Sequence, residues 1–180
     1  MVVAGSVLVA PREVHDLVFR CARVVGCDAG GADRTARNVT VAEVQFGGAL
    51  AAVVDALNSE AFTSTWAMAA DALVSAEVNA RHHGSATATF DPPVPLAALA
   101  AAVAEATARG VVVSGIPSEA TGGSEIATLD LAPGQVEPAA DPGTNAYRDG
   151  LPVDRGAFDA LVEAAAAFLV AEETLDALEG

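Results

Sequence analysis

The stretch that most constrains the fold runs from Pro95 to Gly123. An alanine-rich helical pattern, Leu96–Arg109, stops at Gly110 and turns directly into the β-branched run Val111-Val112-Val113. It then leaves through the small polar loop Ser114-Gly115-Ile116-Pro117-Ser118-Glu119-Ala120-Thr121-Gly122-Gly123. Upstream, Ser85–Asp91 alternates with Ala86, Ala88 and Phe90 on one face, as a half-buried strand does, and Pro92-Pro93 and Pro95 are expected to close it. The result is a strand–helix–strand unit, which predicts parallel pairing and a right-handed crossover. Loops that leave strand ends carry the chemistry of many α/β proteins, so Ser118–Glu125 is the first place to look for a site.

The rest of the chain reads mostly as helix. Val2–Ala10 is a short edge strand or arm. Pro11 suits a first helical turn, and Val14, Leu17, Val18, Cys21 and Val25 follow at helical spacing up to Gly26. A second helix with Ala32, Ala36, Val39 and Val44 is interrupted at Gly47-Gly48 and resumes through Leu50, Val53, Val54 and Leu57. A third covers roughly Glu60–Arg81, with Phe62, Trp66, Ala69, Ala70, Leu73 and Val74 on one face, and His82-His83-Gly84 ends it. Glu125–Leu131 reads as a strand, Pro133–Tyr147 as an irregular loop, and Asp154–Leu178 as a final helix. The expected class is mixed α+β in one domain, 1–180. It comprises a helical bundle (1–84), a strand–helix–strand part (85–131), and an extended arm with a C-terminal helix (132–180).

With aromatics at only 4%, the core must be built from Ala, Val and Leu, whose small side chains allow helices to approach closely and suit an interface with a second copy or a partner subunit. The formal charge of −15 opposes binding to nucleic acid or to an anionic membrane. All nine basic residues are Arg, which removes Schiff-base and phosphate-loop lysine chemistry. Five of them lie between Arg12 and Arg37, facing an acidic remainder either as intramolecular partners or as an anion site. Cys21 and Cys27 read as two buried, reduced thiols of a cytoplasmic protein, and no histidine stands at ligand spacing from them, so no metal is expected. The apolar Met1–Ala10 is too short for a signal peptide or a span. The Ala/Val/Gly/Asp/Arg bias fits a GC-rich bacterial genome.

Three blocks, in order, resemble the malate/L-lactate (sulfolactate-type) dehydrogenase family. They are the helix pair Glu13-Val14…Leu17…Gly26…Ala32…Ala36…Ala42-Glu43-Val44; Ala86–Asp91 with Ala108–Ile116; and Ala132-Pro133-Gly134-Gln135-Val136-Glu137…Arg148-Asp149-Gly150-Leu151-Pro152-Val153. A small bacterial family of unassigned activity, with a similar N-terminal helix pair and C-terminal helix, shares the pattern. The resemblance implies an acid–base histidine after Ala42-Glu43-Val44 and a second one in the loop after Ile116. This chain has Leu50 and Thr121 at those places, and lacks a long stretch between the second and third blocks. Neither Leu nor Thr donates a proton near neutral pH, so hydride transfer to a 2-keto acid is not expected.

Three readings follow. The first is a repurposed relative that binds, or acts by simple acid–base chemistry on, a carboxylate-bearing metabolite without a cofactor. Glu119, Thr121, Glu125 and Glu43 are its catalytic candidates; Ser118, Gly122, Gly123, Arg12 and Arg37 are its ligand-binding candidates. Glu43 could instead be ion-paired with Arg12 or Arg37. The second is a non-catalytic subunit or pseudoenzyme, dimeric or bound to a larger partner. The third is a residual NAD(P)-dependent 2-keto acid or imine reductase.

Overall fold

In a computed structural model, the structure describes residues 5–135 and 142–168. The fold is mixed α+β, with small antiparallel sheets among seven described helices. Strand β1 (Ser6–Val9) leads into α1 (Pro11–Val24), where the Glu13 carboxylate accepts the Ala10 N–H at 2.6 Å. The helical spacing of Val14, Leu17, Val18 and Cys21 sets one buried stripe on α1. That stripe lies against α2 (Ala29–Phe46), whose Ala32, Ala36 and Val39 are fully buried, so the two helices meet through small side chains. Asp28 caps α2 by accepting the Gly31 N–H at 2.7 Å. Gly47 and Gly48, both in the left-handed region, turn the chain into α3 (Ala49–Leu57).

A π-helical turn, Phe62–Trp66, then leads into α4 (Ala67–His83). Phe62 and Trp66 stack with ring centroids 4.8 Å apart, and both are buried. Strand β2 (Ala86–Pro95) and a 3₁₀ turn (Leu96–Ala98) precede α5 (Ala100–Ala108) and β3 (Val111–Ser114). Then come β4 (Glu125–Pro133), α6 (Pro142–Asp149), β5 (Leu151–Asp154) and α7 (Arg155–Ala166).

The strand–helix–strand unit is present, but the expected parallel pairing is not. β4 lies between β2 and β3 and is antiparallel to both, in the order β2-β4-β3. β2 and β3 do run the same way, but the later strand occupies the gap between them. Pro95 ends β2 as expected, but Pro92 and Pro93 do not. Its register jumps from Thr89↔Thr128 to Val94↔Ile126, so Pro92 and Pro93 sit in an outward bulge where no ladder N–H is required of them. β1 pairs with β5 in a separate two-stranded ribbon, Ser6↔Asp154 to Val9↔Leu151. Within the expected irregular stretch Pro133–Tyr147, Pro142–Tyr147 are helical, and residues 136–141 lie outside the described residues. The final helix is described to Ala166, and its expected extension from residue 169 also lies outside them.

Two buried polar residues tie the layers together. Asn38 on α2 accepts the Ala101 and Ala102 N–H groups at 3.0 and 3.3 Å, capping α5 from a neighbouring helix, while its amide donates to the Arg34 carbonyl. Glu77 on α4 accepts from Arg81 at 3.0 Å and from the Arg109 Nε at 2.9 Å, joining α4 to the end of α5. The Arg109 hydrogen bond holds the Glu77 carboxyl below its usual range, against the opposing effect of burial. One continuous buried cluster runs from Val9 to Ala165.

Candidate functional site

The site is built where two glycine-bearing segments meet. Gly122 donates its N–H to the Gly47 carbonyl at 2.7 Å, and its own carbonyl accepts from Ala97 at 2.8 Å. Leu96 donates to the Ser124 carbonyl at 2.9 Å, and the Ser124 hydroxyl accepts the Thr121 N–H at 2.9 Å. The Thr121–Glu125 loop is thus bound both to the start of the α5 region and to the turn before α3. The approach is close. A methyl group at Gly122 would lie 2.5 Å from the Ala49 side chain and 2.6–2.7 Å from its backbone.

The turn before α3 is held in its own way by Glu43, in the last turn of α2 and 4% exposed. Its two carboxylate oxygens accept the N–H groups of Gly48 (3.2 Å), Ala49 (2.6 Å) and Leu50 (3.0 Å). The expected ion pair with Arg12 or Arg37 is therefore not made. The first N–H groups of α3 are orphans of helix geometry, and a carboxylate there complements the helix dipole.

A cleft of about 510 Å³ opens between α3, the π-helical turn, the Pro92–Pro95 bulge and the Thr121–Glu125 loop. Ala51, Ala52, Ala56, Trp66 and the three prolines form its apolar surface. Asp55, Glu125, Thr121, Ser59 and Thr65 supply polar groups. Both charged lining residues are acidic, and neither Asp55 nor Glu125 makes an ion pair or side-chain hydrogen bond among the described residues.

Of the sequence candidates, Thr121, Gly123 and Glu125 line this cleft and Gly122 anchors it. Glu43 stands behind it, with its oxygens turned to the α3 backbone. Ser118 and Glu119 are exposed in the preceding turn and do not line it. Arg12 is exposed on α1 beside Asp16, 3.7 Å away. Arg37 pairs with Glu105 at 2.8 Å, and Arg34 with Asp71 at 2.7 Å, in a different groove between α2, α4 and α5. Two of the five arginines, Arg34 and Arg37, thus pair with acidic residues later in the chain, and none of the five lines the cleft.

No protein-family model matches the chain, and neither a curated protein nor a solved structure matches it. The geometry alone therefore carries the functional reading. Asp55 is the charged lining residue that sequence reasoning missed. Its signal is visible in retrospect: Ala51, Ala52, Asp55 and Ala56 share one helix face, a flat alanine surface with a single charge. Among the described residues, no group of three or more His, Cys, Asp and Glu side chains could hold a metal ion. No described helix is long and apolar enough to cross a membrane.

Proposed function

We propose that this protein binds a small ligand in the cleft beside α3 and does so without hydride transfer. One observation carries the reading: the Gly47–Ala49 and Thr121–Gly123 segments are bonded together beside a cleft lined largely by alanine and proline. The dehydrogenase resemblance places its histidines at Leu50 and Thr121; Leu50 directly follows the first segment and is buried, and Thr121 lies in the second, against Gly48.

The lining charge favours a cationic or neutral polar ligand over the carboxylate expected from the arginine-rich segment. Asp55 and Glu125 repel an anion, no described Arg lines the cleft, and Glu43 already occupies the positive end of α3. A nicotinamide dinucleotide fits poorly for the same reason, because its pyrophosphate would meet carboxylates rather than cations or free helix amides.

The test is a set of three isothermal titrations, with the chain-matched probes putrescine and succinate and with NADH. Putrescine is expected to bind and to weaken on Asp55→Asn and Glu125→Gln, while succinate and NADH give no heat. Binding of succinate, or putrescine affinity unchanged in both variants, overturns the reading.

A second reading, a subunit that pairs with itself or a partner, is favoured by Met68, Val74 and Val78, all exposed along α4. Sedimentation equilibrium at micromolar concentration decides it, and a monomer refutes self-pairing.

A further inference from the structure

We propose that Glu43 is the positioning residue of the cleft, holding its two glycine-bearing walls as one unit. A buried carboxylate is costly unless its oxygens are satisfied, and in the last turn of α2 it opposes the dipole of its own helix. Those costs are met only by what it does for the next element. It takes three successive N–H groups, Gly48 to Leu50, and so fixes the left-handed turn.

With the turn fixed, the Gly47 carbonyl faces the loop and receives the Gly122 N–H. Gly122 in turn sits against Ala49, whose N–H makes the shortest of the Glu43 bonds. Nothing larger than hydrogen fits between them. Glu43 does not line the cleft, and Gly48 is the one lining residue whose N–H it accepts, so it acts through the turn and never on the ligand.

The meaning of this latch for recognition rests on the cleft being the binding site. Its existence does not, and the experiment is made on ligand-free protein so that the two fail separately. Amide hydrogen exchange is measured residue by residue in wild type, Glu43→Gln and Glu77→Gln. The last removes another buried carboxylate, on α4, away from the cleft.

In wild type, the Ala49, Leu50 and Gly122 amides are expected to open together, with one denaturant dependence. Glutamine offers one acceptor oxygen where three donors converge. Glu43→Gln should therefore speed Gly122 exchange by about tenfold or more beyond any chain-wide change, the scale of losing a charge-assisted hydrogen bond. Glu77→Gln should speed it no more than the rest of the chain. The proposal is overturned if Gly122 in wild type opens independently of Ala49 and Leu50, a result that needs no variant to fold. It is equally overturned if Glu43→Gln and Glu77→Gln affect Gly122 alike.

Discussion

The seating of Gly122 gives the sharpest test of the geometry. In Gly122→Ala the new methyl would lie 2.5 Å from the Ala49 Cβ and 2.7 Å from its nitrogen. Ordinary contact requires a retreat of roughly 1 Å. The obstacle is the first residue of α3, pinned by Glu43, rather than the tip of a flexible side chain. Overpacking of this kind costs about 1–3 kcal/mol. A shift of the loop would also stretch the bonds of Gly122 to Gly47 and Ala97, each contributing about 1 kcal/mol. The expected loss is about 2–4 kcal/mol, a large share of the stability of an ordinary domain. Urea unfolding should show the midpoint falling by roughly 1–2 M at an unchanged slope. Gly123→Ala is the control, because its methyl would meet nothing closer than 3.8 Å. It should stay within about 0.5 kcal/mol of wild type, or gain slightly as the unfolded chain loses freedom. Equal midpoints for the two variants would refute the close docking of loop and turn.

The remaining predictions concern charge and thiols. Glu77→Gln should lower stability at neutral pH by about 1–3 kcal/mol. Because its folded pKa is depressed, Glu77 contributes above its unfolded value of 4.5 and loses that contribution as pH falls through the lower folded value. The variant should show a shallower acid limb than wild type in denaturation followed from pH 6 to 2, and identical limbs would remove the Arg109 pairing as the cause. Burial pushes the Cys21 thiol up to about 11, and Cys27 is raised too, chiefly by burial and then by Asp28. Native protein at pH 8 should label with a thiol reagent far more slowly than free cysteine and rapidly once unfolded, whereas fast stoichiometric labelling of the native state would contradict the buried placement.

What was legible in the sequence was local. The stripe Val14, Leu17, Val18, Cys21 fixed α1 because one face of a 3.6-residue repeat must be buried. Gly47-Gly48 marked the α2–α3 break because both residues adopt a left-handed backbone. The strand from Glu125 was legible too, since buried Leu129 and Leu131 alternate with exposed Thr128 and Asp130. Which strand pairs with which was not. Adjacency along the chain favoured β2 beside β3, but the apolar faces of both are completed by β4, which comes later. The proline bulge escaped for a related reason: a missing N–H forbids a ladder bond but not a detour. At the site, Thr121, Gly123 and Glu125 were found because a polar loop after a strand end is recognisable. Asp55 was hidden among alanines, and the task of Glu43 was set by backbone amides that leave no mark on residue type.

The order β2-β4-β3 also governs when the chain can fold as it leaves a ribosome. When Ser114 has emerged, β2 and β3 are both complete, yet each has an empty edge where β4 belongs. Ala88 and Val111 are then without their ladder partners Leu129 and Pro133. The nascent chain must keep that slot open until Pro133 is clear, and the β1–β5 ribbon waits longer still, until Asp154. The interval exposes two unpaired strands of like direction around a one-strand gap, the arrangement most open to capture by another extended chain.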